Sequence, residues 1–260
     1  MLKIGKILCF LLFCSLNAQK TLSFDTLRLS TAKDLFADDY GNIYIYQNKD
    51  LSFTKFDSLG QQKAKLMLTL PFRIQSVQNP LNIPSFSENA QELKFYDHNL
   101  NEIQTINLRQ KFGFVRSAYV EDLQQKWKIY EKKKSLNQYN YSDDRVINSL
   151  YLNINLNSII DFLVFEKKVY LLYNNQLLVY SLKAEKLGAF PVIDGRKLRR
   201  ENNRILIIGQ STIQKLNSDG LETAFSANNS QIVDKNSASY FVIKGNKLYL
   251  YRLAKEPLIK

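Results

Sequence analysis

Histidine, cysteine and paired carboxylates are the residues of this 260-residue chain whose chemistry is worth asking about first, and they are few. A nucleophilic triad or a metal centre needs several such groups held together. The single histidine, His98, sits in Tyr96-Asp97-His98-Asn99-Leu100-Asn101, a polar stretch that reads as a hairpin turn, so a solvated side chain is expected there. The acid pairs Asp38-Asp39 and Asp143-Asp144 also fall in turns, where a carboxylate accepts hydrogen bonds from nearby backbone N–H groups. No Gly-rich phosphate loop and no Gly-x-Ser-x-Gly elbow is present, and Asn217-Ser218-Asp219-Gly220 lacks the downstream residues of a calcium loop. The expectation is a protein that is not an enzyme, with no catalytic residues, no cofactor and no resident metal, although Asp and Asn from separate segments could still meet to hold an ion.

The elements that would position any site come after a leader. Lys3 and Lys6 precede an apolar run, Ile7 to Cys14, and then Ser15-Leu16-Asn17-Ala18. That is the order of an export signal, and the run is far shorter than the ~20 residues of a membrane span. Cys14 follows Phe13, where a lipoprotein signal wants a small residue, so cleavage after Ala18 is expected. Residues 1–18 are therefore read as a signal peptide, and the chain as exported to the periplasm, the outer membrane or the exterior, with no transmembrane segment after processing. Cleavage removes both cysteines, leaving 260 − 18 = 242 residues without a disulfide, enough to bury a core unaided. It also removes two lysines, giving 36 − 2 = 34 basic against 24 acidic residues, a net charge of +10. Such a balance suits an anionic partner.

With 15 Tyr and 16 Phe and few segments of helical period, the composition favours strands. A repeat decides their arrangement. Third strands end at Phe56-Asp57, Tyr96-Asp97, Tyr141-Ser142, Tyr180-Ser181, Leu216-Asn217 and Tyr251-Arg252, at intervals that average 39 residues. Second strands recur at Ile43–Tyr46, Ser85–Ser87, Trp127–Tyr130, Val169–Tyr173, Ile205–Ile208 and Tyr240–Ile243, most of them apolar on both alternating faces. Face-to-face stacking of four-stranded units buries both faces. Val120 to Leu136 would also place Leu123, Trp127 and Tyr130 on one helical face, but the repeat favours a strand. Pro80 and Pro84 in the second unit suit a loop or a strand start.

The fold class expected is therefore all-β: a six-bladed β-propeller, with blades at about 32–70, 74–110, 115–153, 158–192, 197–227 and 231–254 in a single domain, 19–260. The last blade is one strand short, and Lys20 to Ser30, alternating Leu22, Phe24, Leu27 and Leu29 with polar residues, can supply its outer strand. Asp39-Tyr40-Gly41-Asn42-Ile43-Tyr44-Ile45 followed by Lys55-Phe56-Asp57-Ser58-Leu59-Gly60 resembles the blades of NHL-type bacterial propellers. That resemblance implies a fold and little about activity.

In such a ring the loops between second and third strands share one face with the links between blades. Those segments carry Lys49, Arg73, Lys111, Lys132, Lys133, Lys134, Arg196 and Lys197, with Arg199 and Arg200 nearby, against few acids such as Asp50, Glu131 and Asp194. Lys49, Arg73, Lys132, Lys133, Lys134, Arg196 and Lys197 are the candidate binding residues. The partner expected is a protein, or an anionic envelope polymer, met by a monomer or a subunit of a larger complex; nucleic acid is not expected, since the aromatics fall on buried strands. A glycan-binding or glycan-cleaving propeller, with carboxylates and aromatics in a central pocket, is the alternative.

Overall fold

The structure, a computed structural model, describes residues 20–23, 28–121, 125–130 and 135–253. The leader, Cys14 and Lys132–Lys134 lie outside the described residues. Six four-stranded antiparallel sheets are present. Blade one is β2 (Ala32–Ala37), β3 (Ile43–Gln47), β4 (Ser52–Phe56) and β5 (Gln62–Met67), and blade two is β6 (Arg73–Ile74), β7 (Ile83–Ser87), β8 (Glu92–Tyr96) and β9 (Glu102–Asn107). Blade three is β10 (Ser117–Val120), β11 (Gln125–Tyr130), β12 (Ser135–Asn140) and β13 (Arg145–Tyr151), and blade four is β14 (Asp161–Phe165), β15 (Lys168–Leu172), β16 (Gln176–Ser181) and β17 (Lys186–Pro191). Blade five is β18 (Gly195–Glu201), β19 (Arg204–Gly209), β20 (Thr212–Asn217) and β21 (Gly220–Ser226), and blade six holds β22 (Ile232–Lys235), β23 (Ser239–Lys244) and β24 (Lys247–Arg252).

Blade six is completed by β1 (Lys20–Ser23), which pairs antiparallel with β24 through Lys20↔Leu250 and Leu22↔Leu248. The ring is a six-bladed β-propeller closed by strands from both ends of the described chain. The described closing strand lies within the expected 20–30, and at the far end of that range Leu29–Thr31 forms a 3₁₀ turn. Leu29 is buried there, and its N–H donates to Asn246 Oδ1 at 2.6 Å in the β23–β24 turn.

Alternation along the strands fills the seams between blades. On β3, Ile43 and Ile45 pack toward blade six while Tyr44 and Tyr46 pack toward blade two. Among the described residues the apolar core falls into six clusters, one at each seam. Burying each Leu, Ile or Phe contributes roughly 1.5–3 kcal/mol, so stability is spread around the ring.

The polar residue after three of the third-strand anchors holds the turn that follows. Asp57 Oδ1 accepts from Leu59 and Gln61 N–H, Asp97 Oδ1 from Asn99 and Asn101 N–H, and Ser181 Oγ from Lys183 and Glu185 N–H. Asp38 does the same for Tyr40 and Asn42 in the β2–β3 turn, where Gly41 at φ +85° lets the chain reverse. His98 is exposed in its turn.

Val120 to Leu136 contains the strand β11, as the repeat requires. Pro84 explains the short β6: its carbonyl accepts from Gln75 N–H at 2.9 Å, its nitrogen can donate nothing back, and the inner ladder stops there. The segment Gln75–Asn82 then leaves the sheet.

Candidate functional site

Inner strands β2, β6, β10, β14, β18 and β22 surround the axis, and two chambers occupy it. The upper one, a cavity of about 530 Å³, opens where the inner strands begin and is lined by Lys33, Asp34, Arg73, Glu88, Arg116 and Arg196 with apolar walls such as Phe72 and Ile160. The lower one, about 630 Å³, lies where they end. Phe36 and Arg73 line both.

Between the chambers, ion pairs join blades that are not neighbours. Arg73 of blade two meets Asp161 of blade four at 2.8 Å, and Arg196 of blade five pairs with Asp34 of blade one and donates to Val233 O at 2.8 Å. Lys197 Nζ reaches Asp234 Oδ2 at 3.2 Å, Asp34 Oδ1 at 3.3 Å and Leu35 O at 2.6 Å, and stands 3.7 Å from the centre of the Phe36 ring. Asp161 also accepts from Leu198 and Phe162 N–H.

Burial and charge act differently on these groups. Burial works to raise the Asp34 carboxyl, but Arg196 and Lys197 outweigh it and hold the group below the usual carboxylate range. At Asp161 burial wins over Arg73 and the carboxyl is raised. Burial likewise lowers the Lys197 ammonium against the pull of Asp234 and Asp34. Burial pushes the Tyr119 hydroxyl in the lower chamber up to about 12, so it keeps its proton.

Of the residues singled out in the sequence, Arg73 and Arg196 come together at the upper chamber. Lys49 is exposed in the β3–β4 turn, and Lys197 is buried at the axis rather than displayed on a face. Lys132, Lys133 and Lys134 are outside the described residues. Sequence reasoning passed over Asp34, Glu88, Arg116, Asp161 and Asp234. The signal for three of them was an acid interrupting an apolar inner strand, as in Ile232-Val233-Asp234. Among the described residues no three of His, Cys, Asp and Glu gather as a metal site.

No protein-family model matches this chain, and no curated protein matches it in sequence. Its ring is shared by solved structures. One is a streptogramin B lyase, with TM-score 0.55 and 11% identity over 91% of this chain and 88% of that one. Virginiamycin B lyase from Staphylococcus aureus has TM-score 0.55 and 11% identity over 90% and 99% of the two chains. The WD40 domain of Pan2 from Neurospora crassa has TM-score 0.52 and 8% identity over 92% and 97%. These likenesses are of fold, and they support a propeller without a narrower kinship.

They also correct one expectation. The chain was expected not to be an enzyme because no catalytic motif stands in its sequence, yet two of these rings are lyases. A propeller draws its site from separate blades, so a missing contiguous motif is no ground against catalysis on this fold.

Proposed function

We propose that this protein is an interaction module of the bacterial cell envelope, exported and accessory to a secretion or assembly complex, which takes an acidic segment of a protein partner at the upper chamber. The observation that supports this reading is the ring of Lys33, Arg73, Arg116 and Arg196 around that cavity, against Asp34 and Glu88 as its acids. Arg116 pairs with Glu88 and Arg196 with Asp34. Each guanidinium has five N–H donors and keeps some for a carboxylate of the partner. The apolar walls suit the side chains between such carboxylates.

The test is capture from crosslinked envelope fractions, together with binding of a Glu-rich peptide, comparing the native chain with Lys33→Glu/Arg116→Glu and with Lys132, Lys133 and Lys134 changed to Glu. An acidic partner held by the native chain should be released by added salt and lost by the first variant. Binding indifferent to salt and to both variants would refute the proposal.

A second reading, a glycan-binding or glycan-cleaving propeller, is favoured by one observation. The axis is lined by Asp34, Asp161 and Asp234 rather than plugged by apolar side chains, and Tyr119 borders the lower chamber.

A further inference from the structure

The lower chamber is built for something smaller than a protein segment. Its mouth is bridged: Gln78, in the segment that leaves β6, donates from Nε2 to Arg200 O at 2.7 Å, joining blade two to blade five across the axis. Gln75 fixes the root of that segment to blade three, donating to Ala118 O and accepting from Val120 N–H at 3.2 Å.

Within the chamber several buried polar groups are unmatched. Arg199 is 7% exposed and donates from one terminal nitrogen to Ala37 O at 3.2 Å. Its Nε and other terminal nitrogen have no hydrogen-bond acceptor, although the latter forms a long ion pair with Asp39 at 3.8 Å. Asp234, 1% exposed, has Oδ2 on Lys197 and Oδ1 without a donor, and Asn82 Oδ1 has none either. All three residues line this chamber, beside Tyr119 and Phe36. A buried polar group without a partner is unfavourable by roughly 1–3 kcal/mol, and here donors and acceptors lacking hydrogen bonds belong to residues that line one chamber.

We infer that the lower chamber binds a small carboxylate that also carries hydroxyl or amino groups. The Nε edge of a guanidinium is a two-pronged donor matched to a carboxylate. Asp234 Oδ1 and Asn82 Oδ1 then accept from the ligand's own donors, and Tyr119 and Phe36 cover its apolar side. Arg73, Lys197, Arg199 and Arg200 against Asp161, Asp234 and Glu121 leave the lining one charge positive, which admits an anion. The inference deepens the glycan reading, with a sugar acid as the ligand; an amino acid is the other source of the same chemistry.

The experiment is calorimetric titration and thermal shift of the full chain with galacturonate, glutamate and neutral galactose. An acid should bind and raise the melting temperature. Arg199→Lys, which keeps the charge and loses the fork, should weaken it about tenfold or more. Asn82→Ala, on the loop and away from the core, should weaken it severalfold, and hydrogen exchange at 75–82 should slow on binding. Binding of glutamate alone supports the inference and counts against the glycan reading. Galactose binding as tightly as galacturonate overturns the inference and leaves the glycan reading standing. Failure of both acids to bind, or equal binding by all variants, overturns it as well.

Discussion

At the seam between blades two and three, β11 turns Trp127 and Ile129 toward blade four and sets Lys126 and Lys128 on the opposite side. Lys128 is fully buried, with its ammonium 3.1 Å from the centre of the Phe112 ring and near Tyr139 and Tyr141. Burial, with the charges of Lys126 and Lys111, lowers its pKa to about 6, while the ring faces favour the charged form. The unfolded chain holds that proton up to about pH 10 and the folded chain releases it near pH 6, so the fold is penalised between them and stability rises with pH across that window. Native protein should gain about 1 kcal/mol per pH unit there. Lys128→Met should be more stable at pH 7 and flatter with pH in urea melts; an unchanged slope would show that the ammonium stays charged. The sequence hid this group, because Gln125-Lys126-Trp127-Lys128-Ile129 alternates like a half-exposed strand. Only the stacking of blades turns its polar face inward.

Among the strands, β1 joins the two ends of the described chain, so its removal should act on the ring as a whole. Leu22 packs with Leu35, Ile243 and Leu248 at the seam of blades six and one, so Leu22→Ala should be destabilising by about 2–4 kcal/mol. Deleting 20–30 should lower the melting temperature of the whole ring as one transition. The single tryptophan, Trp127, reports this from the seam of blades three and four. Its fluorescence shift should move with the far-ultraviolet signal, and a deletion chain that melts at the native temperature would disprove the closure. This strand was legible because blade six counts one strand short. The reduced β6 was less so: Pro84 signalled a broken ladder, but where Gln75–Asn82 goes depends on blade five, which no local pattern encodes.

Across the molecule, the charges at the axis act as cross-braces. Asp34 holds both Arg196 and Lys197 from blade five. Asp34→Asn leaves buried Lys197 and half-buried Arg196 short of a partner, and loss of one member of a buried group of this kind typically destabilises by about 3–5 kcal/mol. Since the Asp34 carboxyl is held low, its contribution is present above the ordinary carboxylate pKa and fades as pH falls through the lowered value. The native ring should therefore lose stability faster than the variant below about pH 4, which acid titration followed by circular dichroism can check. The ring itself was legible from period and alternation. Which acids and cations meet at its centre was not, because Asp34, Asp161 and Asp234 stand in different blades and the partners of Asp34 are four blades along the chain.

The pairing of Lys20 with Leu250 gives the molecule a fixed order of assembly. A growing chain carries β1 with nothing to hold it until synthesis reaches β24, so five finished blades remain an open arc with both ends bare. Joining ends so far apart adds little to the closure entropy, which grows only logarithmically with length, but it makes the last contact the slowest to be found. A chain cut short before Lys247 therefore exposes the β23 edge that β24 would have covered, and it should be cleaved by proteases faster than the complete ring.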